Sequence, residues 1–377
     1  MAGLELTVDM GADDLLPAWR TVIDVAGTGI SENLTLVGGL MVAIHGSRAG
    51  VAMRRSTDDM DALVDYWADR SSLAGTRAAL AQIGFELVES EEHAYRFVHA
   101  DGRKVDIMVA DHLPSRMRPR LAQRPAFAAP AGEQAIRRRD TYTLIFNGGA
   151  RVVLGVPDEL GALVAKGAAY LVDNRDRARH LDDAAVILAS VSDASELAYD
   201  TMSANDRRRL RAILENLGDE GHSSWVNLDP ADRERGLMNA ALIAGAVRQR
   251  SRLEALFAAE EHVEVEATWG IYQRMIAAYR EPDKKLGKQM MQAVIDAVST
   301  GVPAALVEIR KLGRTLKQRA ADVLAFFDRP GTSNGPTEAI NGRLEHLRGS
   351  ALGFRNLTNY IARSLLEAGG FRPQLHP

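Results

Sequence analysis

The sequence predicts an α+β protein, because strand-like and helix-like segments alternate in its first part and helix-like segments alone follow. Short runs of apolar and β-branched residues are typical of strands. Before residue 155 they cover residues 34–37, 61–64, 94–99, 104–109, 141–146 and 151–156, with helical spacing in between at residues 40–46 and 72–85. Beyond Pro157 apolar residues recur at helical spacing only, over residues 159–172, 181–191 and 206–217. This order predicts a mixed sheet with helices, then a helical region and an all-α C-terminal segment.

The same changes in predicted secondary structure divide the chain into three parts. We expect an α/β domain over residues 1–155, its helical extension over 156–250, and a helical C-terminal fragment over 251–377. The last boundary follows from the polar, turn-rich stretch 205–235, after which the chain is densely helical from Ala255 onward.

Composition excludes several classes of protein and site. The 377 residues are 46% hydrophobic and 25% charged, which is typical of a globular protein. With no cysteine, disulfides, thiolate metal sites and thiol nucleophiles are excluded. The formal net charge of -4 argues against attraction of nucleic acid over the whole surface. The acidic N-terminus is unlike a signal peptide and no uninterrupted apolar run reaches about 18 residues, so a cytoplasmic protein without a membrane segment is predicted.

One stretch of the chain is strongly basic and interrupted by prolines. It covers residues 101–139 and contains Arg103, Lys104, Arg116, Arg118, Arg120, Arg124, Arg137, Arg138 and Arg139. Such a stretch is usually a solvated surface, but beside a phosphate-handling site it is a candidate for binding a polyanion.

The most informative segment contains two aspartates on one strand. Alternate side chains of a strand share a face, so Asp59 and Asp61 project together while Met60 points into the core. Two neighbouring carboxylates repel each other unless a cation lies between them. A third carboxylate, Asp106, lies in another strand-like run, residues 104–109. Oxygen ligands of this kind suit Mg²⁺, and three of them suit two-metal phosphoryl chemistry.

A glycine pair precedes these acids. Gly38 and Gly39 close one strand and open a helix, where glycine lets the backbone approach a phosphate and the helix N-terminus supplies positive potential. A glycine pair or an Asp-x-Asp is a weak signal alone. Together, in this order and with a later buried aspartate, they are fairly specific.

These residues resemble the nucleotidyltransferase signature of the DNA polymerase β-like superfamily over about residues 30–190. The matching elements are Gly38-Gly39, Arg55, Thr57, Asp59-Met60-Asp61 and Asp106, and the branch of AbiE-type and Men-type toxins adds matches at Lys166, Arg175, His180 and Asp183. The resemblance implies that Asp59, Asp61 and Asp106 are catalytic and bind Mg²⁺ or Mn²⁺. It also implies that the nucleotide is bound by Gly38, Gly39, Arg55, Thr57 and Lys166, with Lys166 on the triphosphate.

Each residue also has a purely structural interpretation. Asp59 and Asp61 could be solvent-facing acids of an edge strand, and Asp106 a surface acid of a half-buried strand. Lys166 could extend its ammonium from a packed helix to water. Arg55 and Thr57 could satisfy backbone groups or pair with the acids. His45 follows an apolar helix and is interpreted as a core or helix-end histidine.

The end of the chain, from about Ala255 to Pro377, resembles the C-terminal end of DDE-type transposases of the ISL-three kind. The resemblance lies in residues 268–283 and 329–366, and Glu338 matches the glutamate of the Asp-Asp-Glu triad. The two triad aspartates belong upstream, where this chain carries the nucleotidyltransferase motifs instead. We therefore expect a gene fusion with a catalytically incomplete transposase fragment and a vestigial Glu338. The alternative is a helical domain built for partner binding.

The predicted function is a Mg²⁺-dependent transfer of a nucleoside monophosphate from an NTP to an acceptor hydroxyl. The toxin-like branch implies a tRNA 3′ end or a protein side chain as acceptor and an antitoxin as partner, and the tail implies residual DNA binding. One alternative is a small-molecule nucleotidyltransferase of the antibiotic-modifying type. The other is a DNA-binding transposase remnant without enzymatic activity.

Overall fold

The computed structural model describes residues 3–11, 13, 16–53, 57–88, 93–114, 116–117, 119–257, 262–329, 335–350 and 356–368. Contacts between residues divide the chain into two compact units, Met1–Glu254 and Ala255–Pro377. Each unit has a hydrophobic core of its own. Within the described ranges, no helix is both long and apolar enough to span a bilayer.

The first unit is built on a mixed nine-stranded sheet. Its strands are β1 (Glu5–Gly11), β2 (Leu34–Val37), β3 (Asp59–Val64), β4 (Phe85–Leu87), β5 (Arg96–His99), β6 (Lys104–Ala110), β9 (Ala128–Ala129), β10 (Arg139–Phe146) and β11 (Arg151–Pro157). They lie in the order β1-β10-β11-β2-β3-β6-β5-β4, and β9 also pairs with β6. A separate two-stranded hairpin is formed by β7 (Arg120–Leu121) and β8 (Arg124–Pro125). The central pair β3 and β6 is parallel, whereas their outer neighbours β2 and β5 are antiparallel to them.

Eight α-helices begin in the described part of the first unit. They are α1 (Pro17–Gly27), α2 (Gly38–Ala49), α3 (Ser72–Gln82), α4 (Gly132–Arg137), α5 (Glu159–Val172), α6 (Ala178–Ser190), α7 (Ala204–Leu217) and α8 (Pro230–Phe257). Local signals set several of their ends. Asp158 caps α5 by accepting a hydrogen bond from the Gly161 amide, and Ser203 with Asp206 forms a capping box on α7. Helix α2 ends at Gly50 in the left-handed conformation.

The helices after the sheet share its hydrophobic core. Buried residues of β2, β3, β6, α5, α6, α7 and α8 all belong to one cluster. Helix α5 packs closely on α7 at Gly167, where a Cβ would lie 2.2 Å from the Arg209 carbonyl oxygen. The helix predicted over residues 206–217 is present as α7. The turns expected in the polar stretch 205–235 lie between α7 and α8, which begins at Pro230.

The second unit is all-α in its described residues, as the sequence predicts. Its helices are α9 (Val263–Arg280), α10 (Lys284–Ser299), α11 (Val307–Gln318), α12 (Ala320–Asp328), α13 (Gly335–Ser350) and α14 (Leu357–Ala368). Its core centres on α10, whose Met291, Val294 and Ile295 are buried together with Phe327 of α12. The predicted fold class, α+β with a helical C-terminal segment, is confirmed.

Candidate functional site

Three carboxylates meet on the two central parallel strands of the sheet. Asp59 and Asp61 are two residues apart on β3 and share a face, whereas Met60 between them is buried in the core with 1% of its surface exposed. Asp106 of β6 lies directly opposite Asp61 in the parallel register. One oxygen from each of the three carboxylates lies within 4.8 Å of the others. Hard oxygen ligands at this spacing fit a divalent cation such as Mg²⁺ or Mn²⁺.

An arginine that the sequence reasoning missed contacts this cluster. Arg96 of β5 is paired in register with Asp106, so the side chains lie on the same face of the sheet. Its guanidinium donates to both Asp106 oxygens, at 2.8 Å from Nε and 2.6 Å from a terminal nitrogen, and lies 3.8 Å from Asp59. The Asp106 carboxylate raises the pKa of Arg96 further above its ordinary value. Only the pairing of β5 with β6 reveals this contact, because an arginine in a strand-like run carries no signal of its own.

The electrostatics of Asp61 show how strongly the carboxylates interact. Burial raises the pKa of Asp61, and the nearby charges of Asp59 and Asp106 raise it further, to about 7. Lys166 and Arg96 act in the opposite direction without cancelling this effect. A divalent cation shared by the three carboxylates would relieve the repulsion.

The Asp61 side chain leaves room only for glycine at position 38. Strand β2 is antiparallel to β3 and brings Val37 opposite Asp61, so the next residue turns directly past the carboxylate. Gly38 has a φ of +69°, and a Cβ on it would lie 1.9 Å from Asp61 Oδ2. The structure thus adds a steric reason for this glycine to the one predicted from the sequence, approach of the backbone to a phosphate. Gly39 is buried in the first turn of α2, whose positive N-terminal end lies beside the acids.

Lys166 is buried and hydrogen-bonded. It lies on α5 with 5% of its surface exposed. Its ammonium donates to the Gly38 carbonyl oxygen at 2.9 Å and to Asp183 Oδ2 at 2.7 Å. The alternative that Lys166 extends to water is wrong, because its partners hold the charge beside the turn that carries Gly38.

A cavity of about 290 Å³ lies against this turn and the metal-site candidate. Its polar wall contains Gly38, Asp61 and Lys166, together with Asp173, Arg179 and His180. The remainder of the wall is apolar and includes Leu63, Met108, Phe127 and Val172. A largely apolar cavity with a few convergent polar groups is the usual form of a small-molecule site.

The other candidate residues fall in different places. Arg55 lies outside the described residues. The Thr57 hydroxyl donates to the Asp59 carbonyl oxygen at 3.4 Å. Arg175 is exposed, and its backbone amide donates to Asp173. His45 is buried, with Nε2 2.9 Å from the Pro157 carbonyl oxygen, and is a core histidine as expected.

The basic stretch does not form one surface. Arg103 pairs with Asp24 and Asp101, Arg138 is buried and pairs with Asp158, and Arg139 donates to the Thr35 hydroxyl. These three side chains are engaged in contacts within the protein, so the stretch does not present all of its charges as one basic surface. The exposed basic side chains of the stretch are Lys104, Arg116, Arg120, Arg124 and Arg137. Arg118 lies outside the described residues.

The C-terminal part contributes no comparable site in its described residues. Glu338 lies on α13, but its side chain lies outside the described part of the chain. Among the described residues, Asp59, Asp61 and Asp106 form the one group of three acidic or histidine side chains close enough to share a cation.

Comparisons with known proteins concern both parts of the chain. A family model described as a transposase, of the DDE type and the ISL-three kind, matches residues 229–364. No curated protein matches the chain. A similar solved structure is that of an antigenic nucleotidyltransferase-like protein from Paracoccidioides brasiliensis, with 15% identity and a TM-score of 0.35. It covers 52% of this chain and 87% of that one. A similarity this distant transfers neither fold nor function.

The family match confirms the transposase-like character predicted for the C-terminal part and extends it toward the N-terminus. It begins at Asp229, immediately before α8, rather than near Ala255. All residues of the carboxylate site and its cavity precede it. Residues 229–364 are thus similar to ISL-three-type transposases, and the candidate site belongs to the part of the chain before them.

Proposed function

We propose that the first unit is a metal-dependent nucleotidyltransferase that moves a nucleoside monophosphate from an NTP to an acceptor hydroxyl. The observation that carries the proposal is the group of three carboxylates on neighbouring strands, at the wall of a cavity that also contains Gly38 and Lys166. In this reaction the acceptor oxygen forms a bond to the α-phosphorus, the bond to pyrophosphate breaks, and the hydroxyl proton leaves to a base.

Asp59, Asp61 and Asp106 would hold Mg²⁺ or Mn²⁺. The bound cation would neutralise phosphate charge and act as a Lewis acid. Because a single guanidinium contacts the three carboxylates, the site has a net negative charge. Such a site suits a divalent cation accompanied by phosphate.

Lys166 is proposed to bind the triphosphate. An ammonium has three N–H donors, and two of them are used by Gly38 and Asp183. The third remains for a phosphate oxygen, and its fixed position beside the cavity lets it stabilise the charge that develops on the leaving pyrophosphate. The proposed nucleotide contacts are completed by Gly38 and Gly39 at the start of α2, together with Arg55 and Thr57.

Asp106 is proposed to accept the proton of the acceptor hydroxyl. Arg96 contacts both of its oxygens and holds the carboxylate in place, and each oxygen keeps lone pairs for a further contact. Arg96 therefore acts as a positioning residue for this carboxylate.

The acceptor and partners are proposed from the resemblance to AbiE-type and Men-type toxins. They are a tRNA 3′ end or a protein hydroxyl as acceptor and an antitoxin as partner, in the cytoplasm. Residues 251–377 are proposed to be a fused transposase fragment that lacks transposition chemistry and retains at most DNA binding. The family match to residues 229–364 supports its origin.

The experiment is label transfer from each α-labelled NTP, with Mg²⁺ or Mn²⁺, to total RNA, to protein or to aminoglycosides. Asp59→Asn and Asp61→Asn should each reduce transfer about a thousandfold, the scale of lost charge stabilisation. Asp58→Asn is the matched control, because Asp58 is an exposed neighbour outside the carboxylate group. Glu338→Gln should leave transfer unchanged.

Undiminished transfer by the Asp59→Asn/Asp61→Asn double variant would contradict the proposal. Label on aminoglycosides alone would establish the small-molecule alternative. Absence of any metal-dependent turnover, with DNA binding retained, would establish the remnant without enzymatic activity.

A further inference from the structure

Two neighbouring helices of the first unit, α7 and α8, carry a concentration of arginines outside the basic stretch 101–139. They are Arg207, Arg208, Arg209 and Arg211 on α7, and Arg248, Arg250 and Arg252 near the end of α8. The Arg211 guanidinium donates to the Ser251 hydroxyl at 3.4 Å, so the two helices lie side by side at this point. Because the whole chain has a formal net charge of -4, this positive charge is a local feature.

Acidic side chains within the first unit neutralise part of this charge. Arg207 and Arg250 both pair with Glu254. Arg209 pairs with Asp111. These three arginines connect elements of the fold and are engaged in it.

The remaining four arginines are exposed and form what we call the arginine surface. Its members are Arg208, Arg211, Arg248 and Arg252, and none of them has an ion pair with a described residue. Spacings of three residues on α7 and four on α8 place each pair on one face of its helix, beside the contact between Arg211 and Ser251. Like charges at such spacings destabilise a helix by about 0.2–0.5 kcal/mol per pair. A bound polyanion would remove this cost.

The chemistry of the arginine surface favours phosphate groups as the ligand. Guanidinium groups bind phosphate through two parallel N–H donors, and all four exposed cations are arginines. Neither α7 nor residues 248–252 of α8, all of them described, present an exposed large apolar side chain. Helices that bind membranes and the centres of protein interfaces use such side chains, whereas binding to a nucleic-acid backbone depends on charge.

The arginine surface adjoins the helix that carries Lys166. Gly167 follows this lysine on α5, and a Cβ on it would lie 2.2 Å from the Arg209 carbonyl oxygen of α7. Axes of helices packed directly on each other are about 8–10 Å apart. A strand bound on α7 would therefore run one helix away from α5. Helix α7 also precedes residues 229–364, so the surface is not confined to the transposase-like part.

We propose that the arginine surface is a docking site for the sugar-phosphate backbone of a nucleic acid. Resting on the function proposed above, the bound nucleic acid is the acceptor of the nucleotidyl transfer. RNA and DNA present the same phosphate chemistry, and the experiment distinguishes between them.

The measurement is binding of deacylated total tRNA, a single-stranded RNA and a duplex DNA to the full chain at increasing salt, in EDTA. Without a divalent cation the carboxylate site does not contribute. Each phosphate contact adds to the slope of log affinity against log salt concentration. Arg208→Gln/Arg211→Gln and Arg248→Gln/Arg252→Gln should each reduce this slope by about 1.4 for a single strand and about 1.8 for duplex DNA. The nucleic acid that shows the reduction is the class bound.

Two further variants control for net charge and for its sign. Arg20→Gln/Arg70→Gln removes the same charge from exposed positions on α1 and in the segment before α3, and should keep the wild-type slope. Glu215→Gln removes an exposed acid one turn beyond Arg211 on α7 and should strengthen binding. In the transfer assay, the variants of the arginine surface should raise the KM of the nucleic-acid acceptor and leave the KM of the NTP unchanged.

The outcomes separate this docking site from the proposed function. Equal slopes for the arginine-surface variants and the Arg20→Gln/Arg70→Gln control overturn the docking site, as does a wild type that binds none of the three nucleic acids at low salt. Either result leaves the nucleotidyltransferase proposal standing. Reduced slopes in the arginine-surface variants, with no label transfer by wild type from any NTP, would support the docking site and contradict the proposed function.

Discussion

The close approach of Gly38 to Asp61 predicts that Gly38→Ala damages the proposed metal site specifically. The backbone of Gly38 has a φ of +69°, a conformation that costs alanine about 1–2 kcal/mol. In addition, the new Cβ would lie 1.9 Å from Asp61 Oδ2, far inside van der Waals contact, so the carboxylate must move. Gly38→Ala should therefore reduce both the free energy of unfolding and the binding of the divalent cation.

Gly50 offers a matched control for the backbone effect. It ends the same helix, α2, with a φ of +71°, and no atom lies within 4 Å of the position that its Cβ would take. Gly50→Ala should cost the same conformational free energy of about 1–2 kcal/mol without touching the carboxylates. The difference between the two variants isolates the contact with Asp61.

The assay is urea unfolding of both variants, with and without Mg²⁺ or Mn²⁺. In wild type and Gly50→Ala the cation should raise the midpoint of unfolding, because it binds the folded state only. In Gly38→Ala this rise should be lost or strongly reduced. An equal cation-induced rise in the two variants would refute the reasoning that Gly38 is required by Asp61.

Three further predictions concern stability. Gly167→Ala should destabilise the protein, since its Cβ would lie 2.2 Å from a carbonyl of α7, whereas Gly245→Ala in the open face of α8 should stabilise by about 1 kcal/mol in thermal unfolding. Burial raises the pKa of Asp140 to about 6, so the folded state favours the protonated carboxyl. The contribution of Asp140 to the free energy of unfolding is therefore complete below about pH 4 and is lost as the pH rises through 6. Asp140→Asn should flatten urea-unfolding stability across that interval, and an unchanged slope would contradict this. A chain ending at Phe257 should fold and keep the proposed nucleotidyl transfer, whereas one ending at Gly245 loses buried Val247 and should be less stable by about 2 kcal/mol. Equal melting temperatures of the two shortened chains would argue against this role of the last turns of α8.

Patterns within single segments made the class of fold and part of the site predictable. Strands β2, β3, β6, β10 and β11 contain the predicted strand-like runs, and the helix predicted over residues 159–172 is α5 with the same bounds. Because successive side chains of a strand alternate between its two faces, the sequence was enough to place Asp59 and Asp61 on one face. These are local properties, since they depend on residues only a few positions apart. Strand β1 and helix α1 were missed, although α1 carries apolar residues at helical spacing, such as Trp19, Val22 and Val25.

Tertiary structure alone decided which residues surround the acids. Asp106 lies opposite Asp61, and Arg96 opposite Asp106, because β3, β6 and β5 pair in one register among several that the sequence allows. Segments distant in the chain also explain two other residues of the site. Asp61 of β3 is the reason for Gly38, and Asp183 of α6 is a partner of the buried Lys166. The side-chain period of an element determines which face a residue occupies, but the neighbour on that face is determined by how elements far apart in sequence pack together.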